Sequence, residues 1–235
     1  IRASVEEKLQ GTDEFGEAWQ IYVYRLKDGA RASLGQGRLT AASLIKLYIM
    51  GAVYSSYDNI AAANGQEQVD KLLNAMITVS DNDSANTLVG MLGNGDNAAG
   101  QEAVNTYCKN NGYTDTSMGR MLLEKASANE NYTSARDCSV FLKNIYENKL
   151  EHSEDMLNLL KQQTRTEKIP KGIPSGVETA NKTGELDHVE NDAAIVFDGE
   201  NPYIICVMAD NLSDTTEARQ RIVDISSVVY ENISK

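Results

Sequence analysis

The sequence predicts an α/β fold in which an antiparallel sheet, flanked by terminal helices, is interrupted by an inserted all-helical domain. Segments rich in β-forming residues are confined to the two ends of the chain, before about Leu34 and after about Val177. Between Thr40 and about Gln163, apolar residues recur at helical spacing instead. Strands from both ends can share one sheet, which predicts a three-layer sandwich with the helical block inserted between its strands.

The N-terminal part predicts one helix followed by two strands. Ser4 to Gln10 has a helical pattern, and Trp19 to Arg25 alternates and is rich in β-formers. Lys27-Asp28-Gly29 is a turn sequence, and Ala32 to Leu34 begins a second strand.

The middle of the chain predicts a series of helices separated by Gly/Asn-rich breaks such as Gly93-Asn94-Gly95-Asp96. The predicted helices are Ser43 to Tyr54, Gln68 to Val79, Ser84 to Leu92, Ala98 to Lys109, Ser134 to Tyr146 and Glu154 to Gln162.

Strand character returns near the C-terminus and ends in a long amphipathic helix, Thr215 to Asn232. The predicted strands are Val177 to Gly184, Asp192 to Phe197 and Tyr203 to Ala209. We therefore expect an α/β domain formed by residues 1–37 plus 168–235 and an inserted helical domain formed by residues 38–167, with an active site in the cleft between them.

The composition excludes some classes of function. The chain has 235 residues, which is enough to bury a real core, and a formal net charge of −12. Such a charge repels phosphate backbones, so we expect no nucleic-acid partner. No apolar run approaches the length of a membrane span. The chain begins at Ile1, and we expect that an upstream segment, a signal or an anchor, has been removed.

The cysteines and histidines do not predict a metal site. Cys108, Cys138 and Cys206 form no CxxC pair and have no metal-ligand spacing. We expect buried free thiols, with a Cys108–Cys138 bridge as the alternative in an exported protein. We expect no metal and no cofactor.

Ser43-Leu44-Ile45-Lys46 is the only Ser-x-x-Lys in the chain. Residues three apart share a helix face, so the hydroxyl and the amine can meet. Thr40 or a neighbour would begin this helix and place Ser43 in its first turn, where the dipole favours developing negative charge. A hydroxyl is a poor nucleophile until a neighbouring base removes its proton. A lysine whose pKa is lowered can be that base. On its own, the pattern is better explained by a helix with an N-terminal serine and an incidental lysine.

Two further motifs are each weak evidence for an active site when taken alone. Ser80-Asp81-Asn82 follows a predicted helix and has the residue types of a helix cap. Lys182-Thr183-Gly184 lies on a predicted strand. A cation beside a hydroxyl can hold a substrate carboxylate, and the glycine lets a substrate lie against the strand. The alternative is an exposed lysine near a strand end.

Together, the three motifs are specific. They occur once each and in the order found in class A β-lactamases and penicillin-binding proteins. The chain resembles this superfamily of serine hydrolases over nearly its whole length. Neighbouring sequences agree, namely Met76-Ile77-Thr78-Val79, Ser84-Ala85-Asn86 and Asp192-Ala193-Ala194.

The resemblance implies a role for each motif residue. Ser43 is acylated, Lys46 relays its proton, and Ser80 passes a proton to the leaving nitrogen. Asn82 binds the substrate's side-chain amide. Substrate binding also involves the strand motif, whose members are Lys182, Thr183 and Gly184. The backbone N–H groups of Ser43 and Glu185 form the oxyanion hole.

The sequence departs from the family in three places. Arg120-Met121-Leu122 stands where class A enzymes have Arg-x-Glu, and leucine cannot activate the deacylating water. Glu124 is the nearest substitute base, although a solvated surface charge is the preferred interpretation; Glu130 is a weaker candidate. The loop from Arg120 to Thr133 is shortened, and so is the interval from Ser43 to Ser80.

Three functions therefore compete. Ser-Asp-Asn favours a β-lactamase-type hydrolase, whereas the missing glutamate favours a cell-wall D,D-peptidase or transpeptidase, or a β-lactam-binding sensor that stays acylated. The expected partner is a small β-lactam or a peptidoglycan stem peptide, and we expect a monomer. The expected location is extracellular or in the cell envelope of a bacterium. His188 lies just beyond the Lys-Thr-Gly strand and could line the cleft, although the turn into the next strand is the preferred interpretation. Arg165, Arg219 and Arg221 could add charge for a substrate carboxylate, with a surface role as the default for each.

Overall fold

A computed structural model describes residues 1–12, 16–125 and 129–234. It confirms the α/β class, with a five-stranded antiparallel sheet covered by helices on both faces. The sheet order is β2-β1-β7-β6-β5, so the two N-terminal strands pair with the three C-terminal ones, as predicted. The strands are β1 (Ala18–Arg25), β2 (Arg31–Leu34), β5 (Glu178–Leu186), β6 (Val189–Phe197) and β7 (Tyr203–Asp210). A separate two-stranded ladder pairs β3 (Leu39–Thr40) with β4 (Tyr132–Thr133).

The helices flank this sheet. They are α1 (Arg2–Lys8), α2 (Ile45–Tyr54), α3 (Tyr57–Asn64), α4 (Gln66–Thr78), α5 (Asn82–Leu92), α6 (Asn97–Asn110), α7 (Ala135–Tyr146), α8 (Ser153–Lys161) and α9 (Thr215–Ile233). Short 3₁₀ helices lie at Ala42–Leu44 and Ile169–Gly172. Among the described residues, no helix is long and apolar enough to cross a membrane.

The central strands are buried on both faces because helices cover both. Alternate residues of β7 belong to different cores: Ile204, Cys206 and Met208 pack under the helical block. Ile205 and Val207 pack instead against α1 and α9. This period of two fixes the register of the strand, because a slip of one residue would exchange the two sets.

Helix α7 packs against β1 and β7, and α8 packs against β5, so the helical block rests on one face of the sheet. Helix α9 contacts α1 and β6 on the other side. We retain as a proposal the division into residues 1–37 plus 168–235 and residues 38–167.

Some local predictions were wrong. Thr40 does not begin the helix of Ser43; it ends β3, and a 3₁₀ turn over Ala42–Leu44 precedes α2. Helix α3 was not predicted, because Ile60 is its only fully buried residue and little apolar periodicity results. The cysteines are all buried free thiols, so Cys108 and Cys138 are not bridged.

Candidate active site

Ser43 lies in the 3₁₀ turn at the start of α2, facing strand β5. The preceding Ala42 has φ 47°, a left-handed conformation that is uncommon for alanine and re-aims the chain at this point. Asn191 on β6 fixes the turn by donating from Nδ2 to the carbonyls of Thr40, at 2.9 Å, and Ala41, at 3.1 Å. The nucleophile candidate is thus tied to the sheet rather than carried on a free loop.

Lys46 follows one helical turn later and is fully buried. Its Nζ lies 3.1 Å from Ser43 Oγ and 3.1 Å from Ser80 Oγ. It donates at 2.6 Å to the Ser80 carbonyl and at 2.6 Å to Asn82 Oδ1. The structure therefore brings Ser43, Lys46, Ser80 and Asn82 together, as the motifs predicted.

This geometry suits a neutral amine. Burial lowers the pKa of Lys46 to about 7, while the Asp81 carboxylate opposes the shift and Arg165 adds to it. The two shortest contacts go to carbonyl oxygens that can only accept, which uses the two N–H bonds of a neutral amine. Its lone pair is then free to take the Ser43 proton.

Ser80 occupies the turn between α4 and α5, with φ 61°. Asp81 caps α5 by accepting from the Ser84 N–H at 2.7 Å. The cap interpretation of Ser-Asp-Asn is therefore correct for Asp81. It coexists with the site, because the cap orients its two neighbours, Ser80 and Asn82, towards Lys46.

Lys182 approaches the same hydroxyl from strand β5. Its Nζ donates to Ser80 Oγ at 2.8 Å and to the Thr183 carbonyl at 2.8 Å, and its side chain is fully buried. Burial first, then Lys46 and Arg165, hold the pKa of Lys182 well below its usual value. An arriving carboxylate would favour the charged form again.

Gly184 brings β5 into contact with the turn of Ser43. A Cβ at this glycine would lie 2.8 Å from the Ala41 carbonyl and 3.2 Å from the Ser43 nitrogen. A side chain there would force the strand away. The backbone nitrogens of Ser43 and Glu185 consequently lie on two adjoining segments, where an oxyanion hole is expected.

The loop with the missing glutamate is anchored to α5. Asn86 accepts from the Leu122 N–H at 2.9 Å and donates to the Leu122 carbonyl at 2.9 Å. Leu122 is buried, and no carboxylate is present at this position. The exposed Glu124 folds back onto its own loop, where its carboxylate accepts from the Met121 N–H at 3.1 Å.

Glu130 is engaged elsewhere. Its carboxylate pairs with Arg120 at 2.8 Å, and both side chains are about one-tenth exposed. Residues 126–128 of the shortened loop lie outside the described residues.

A charged cluster beside the oxyanion position was not predicted from the sequence. Lys168, only 1% exposed, pairs with Glu190 at 2.7 Å and with Glu185 at 3.1 Å. Arg219 donates to Glu190 from Nε at 2.8 Å and Nη2 at 2.8 Å. Arg165 lies 3.3 Å from Glu185. The sequence carried no signal for it, because the partners come from four separate segments.

The remaining candidates lie away from these contacts. His188 is in the exposed turn between β5 and β6, as predicted, and its Nδ1 lies 2.9 Å from the Leu212 carbonyl. Arg221 pairs with Glu217 at 2.6 Å on α9. Within the described ranges, no cluster of His, Cys, Asp or Glu is arranged to hold a metal ion.

Comparisons with known proteins identify a family and a fold for this chain. The model of the beta-lactamase enzyme family matches residues 62–233, which include Ser80 and Lys182 but not Ser43. A β-lactamase from Sphaerobacter thermophilus has a similar structure, with a TM-score of 0.84 and 22% identity over 99% of this chain and 98% of that one. The structure of PBP-A has a TM-score of 0.83 and 22% identity over 99% and 96%.

Two further structures are similar. An ancestral class A β-lactamase has a TM-score of 0.83 and 20% identity over 97% of this chain and 99% of that chain. A leucine-to-glutamate mutant of PBP-A, solved as an acyl-enzyme complex with penicillin G, has a TM-score of 0.84 and 20% identity over 99% and 96%. The search of curated proteins found no match.

Proposed function

The chain belongs to the beta-lactamase enzyme family and is a serine hydrolase, and we propose that it reacts with β-lactams by forming an acyl-enzyme on Ser43. One observation supports the proposal more directly than the others. Lys46 Nζ lies 3.1 Å from Ser43 Oγ, and burial lowers the pKa of Lys46 to about 7, so that a large fraction of the amine is neutral near neutral pH and can accept the proton.

Acylation follows from these contacts. Lys46 takes the Ser43 proton as Oγ attacks the lactam carbonyl, and the backbone N–H groups of Ser43 and Glu185 stabilise the resulting oxyanion. Ser80 Oγ lies within reach of both lysines, so it relays the proton from Lys46 to the leaving nitrogen. The C–N bond breaks, and the ester on Ser43 remains.

Substrate recognition uses the other side chains. Asn82 Oδ1 is occupied by Lys46, so its Nδ2 group donates to the carbonyl of the substrate's side-chain amide. Lys182 and Thr183 hold the substrate carboxylate on β5. Gly184 keeps the strand in contact with the Ser43 turn, which leaves no side chain between the substrate and the strand.

Deacylation is slow in this proposal, because Leu122 supplies no base. The acyl-enzyme that the leucine-to-glutamate mutant of PBP-A forms with penicillin G supports the formation of an adduct of the same kind on Ser43. A second function, D,D-peptidase or transpeptidase activity on peptidoglycan stem peptides, is favoured by the same leucine. A β-lactam sensor that remains acylated is the third. For all three, the proposed location is outside the bacterial cytoplasm, and the proposed state is a monomer.

Intact-mass spectrometry after mixing with benzylpenicillin tests the proposal. We expect an adduct of the mass of the whole penicillin, since ring opening loses no atoms, and we expect it to persist. Ser43→Ala should give no adduct at all, with an unchanged circular dichroism spectrum. Undiminished labelling of that variant would overturn the assignment. Release of the adduct as penicilloate marks hydrolysis, whereas D-alanine released from a stem peptide marks the peptidase.

A further inference from the structure

A carboxylate of the protein itself lies in a cationic cluster beside the proposed oxyanion hole. Glu185 Oε1 lies 3.1 Å from Lys168 Nζ, and Oε2 lies 3.3 Å from Arg165 Nη1. Arg219 Nη2 is 3.7 Å from Oε2. The backbone N–H of Glu185 is a proposed oxyanion donor, so its carboxylate is carried by the residue that contacts the reacting carbonyl.

The cluster is arranged around two carboxylates. Glu190 is only 1% exposed and lies closer to the cations than Glu185 does, at 2.7 Å from Lys168 and 2.8 Å from Arg219. Three cations thus contact the two carboxylates, while burial raises the pKa of the nearby Asp192 to about 6 and the charge of Lys168 opposes that shift. Partial burial raises the pKa of Glu185, but Lys168, Arg219 and Arg165 together outweigh it and the net shift is downwards, so the group is ionised near neutral pH.

The Glu185 carboxylate lies on the same face of β5 as Thr183, one of the two residues proposed to hold the substrate carboxylate. Side chains alternate along a strand, so Thr183 and Glu185 point to the same side, about 7 Å apart at their Cα atoms, and Lys182 reaches the helical block from the other side. A carboxylate held at the edge of β5 by Thr183 therefore arrives near an existing negative charge. Because the cleft is partly shielded from water, the repulsion between them is stronger than in bulk solvent.

We propose that Glu185 is a specificity-determining residue whose carboxylate occupies the cationic cluster in place of a substrate anion. The ionised Glu185 consequently weakens the binding of a substrate carboxylate by Lys182 and Thr183, and it has less effect on substrates in which that group is neutral. Without the Glu185 charge, the exposed Arg165 and Arg219 become available to the substrate. This inference rests on the proposed acylation of Ser43.

The test compares two substrates that differ only in that charge, benzylpenicillin and its methyl ester. The measured quantity is the ratio of their second-order acylation constants. Glu185→Gln keeps the backbone N–H and the side-chain shape, and we expect it to raise the ratio in favour of the free acid about ten-fold. Glu178→Gln is the matched control, because it removes the same charge at the far end of β5, where Glu178 pairs with Lys161 at 2.7 Å. The control should leave the ratio unchanged.

A second measurement needs no variant. Salt screens the interactions of the partly exposed Glu185 carboxylate, so raising the ionic strength should reduce the difference between the ratio of the unaltered protein and that of Glu185→Gln. A ratio that is insensitive to both salt and Glu185→Gln, in a protein that both substrates acylate, would overturn the role of Glu185 alone. Failure of both substrates to acylate the unaltered protein would instead overturn the proposed function.

Discussion

The side-chain amide of Asn86 makes two hydrogen bonds of 2.9 Å to the backbone of Leu122, one from the N–H and one to the carbonyl. The backbone at position 122 is therefore held by α5, in addition to the packing of the buried Leu122 side chain in the core. A different residue at 122 would be held in the same place. The site lacks a base because residue 122 is a leucine, and not because the loop is displaced.

Replacing Leu122 by glutamate should accelerate deacylation. The new carboxylate would start from an anchored backbone and could activate a water, an effect typically worth about 10²–10⁴-fold in rate. We expect the lifetime of the benzylpenicillin adduct, followed by intact-mass spectrometry, to shorten by at least about ten-fold. Leu122→Gln, which has a similar shape and no base, is the control and should not shorten it.

A substitution at Glu124 tests whether this residue acts as the base in deacylation. Its carboxylate contacts the Met121 N–H, so Glu124→Gln should leave the adduct lifetime unchanged. If the unaltered protein instead hydrolyses penicillin at about 10 per second or more, a rate typical of efficient enzymes, the slow-deacylation prediction is wrong. Trapping of the adduct by Glu124→Gln would then identify Glu124 as the base.

Acylation should rise with pH through about 7. Lys46 acts only as the neutral amine, and burial lowers its pKa to about 7. Below that pH, the rate should fall about ten-fold per unit as the amine becomes protonated; above it, the rate should level off. Stopped-flow acylation from pH 5 to 9 measures this profile. A rate that is already maximal at pH 5, or retained in Lys46→Met, would show that another group removes the proton.

Lys182→Ala should weaken acylation by substrates that carry a carboxylate. A hydrogen bond to a charged group is worth about 1.5–3 kcal/mol, so we expect a loss of roughly ten- to a hundred-fold for benzylpenicillin. The methyl ester should lose less. Lys171→Ala removes an exposed lysine and serves as the control. Equal losses for both substrates would assign Lys182 to the proton relay with Ser80 rather than to carboxylate binding.

Gly184→Ala should separate β5 from the Ser43 turn. The added Cβ would lie 2.8 Å from the Ala41 carbonyl, a backbone atom that cannot move independently. Since a displacement of about 1 Å at a reacting centre can cost about 100-fold, acylation should fall by at least about ten-fold. Gly90→Ala on α5 is the control, because its Cβ would meet only Asn97 Oδ1, at 3.4 Å. An unchanged acylation rate in Gly184→Ala would show that close contact of β5 is not required.

The sequence by itself determined the fold class, the strands at the two ends and the residues of the candidate site. These features depend on local periodicity and on short motifs whose members are close in sequence or belong to a recognisable set. The pairing of Ser43 with Lys46 needs only one helical turn, and the missing base at Leu122 is visible as a residue type.

Only the tertiary structure decided the electrostatics of the site. The lowered pKa of Lys46 comes from burial under neighbouring elements, and the Lys182–Ser80 contact joins residues 102 positions apart. The charged cluster around Glu185 likewise draws on four segments. Burial and long-range charge pairing are set by which elements pack together, and local sequence patterns do not encode that packing.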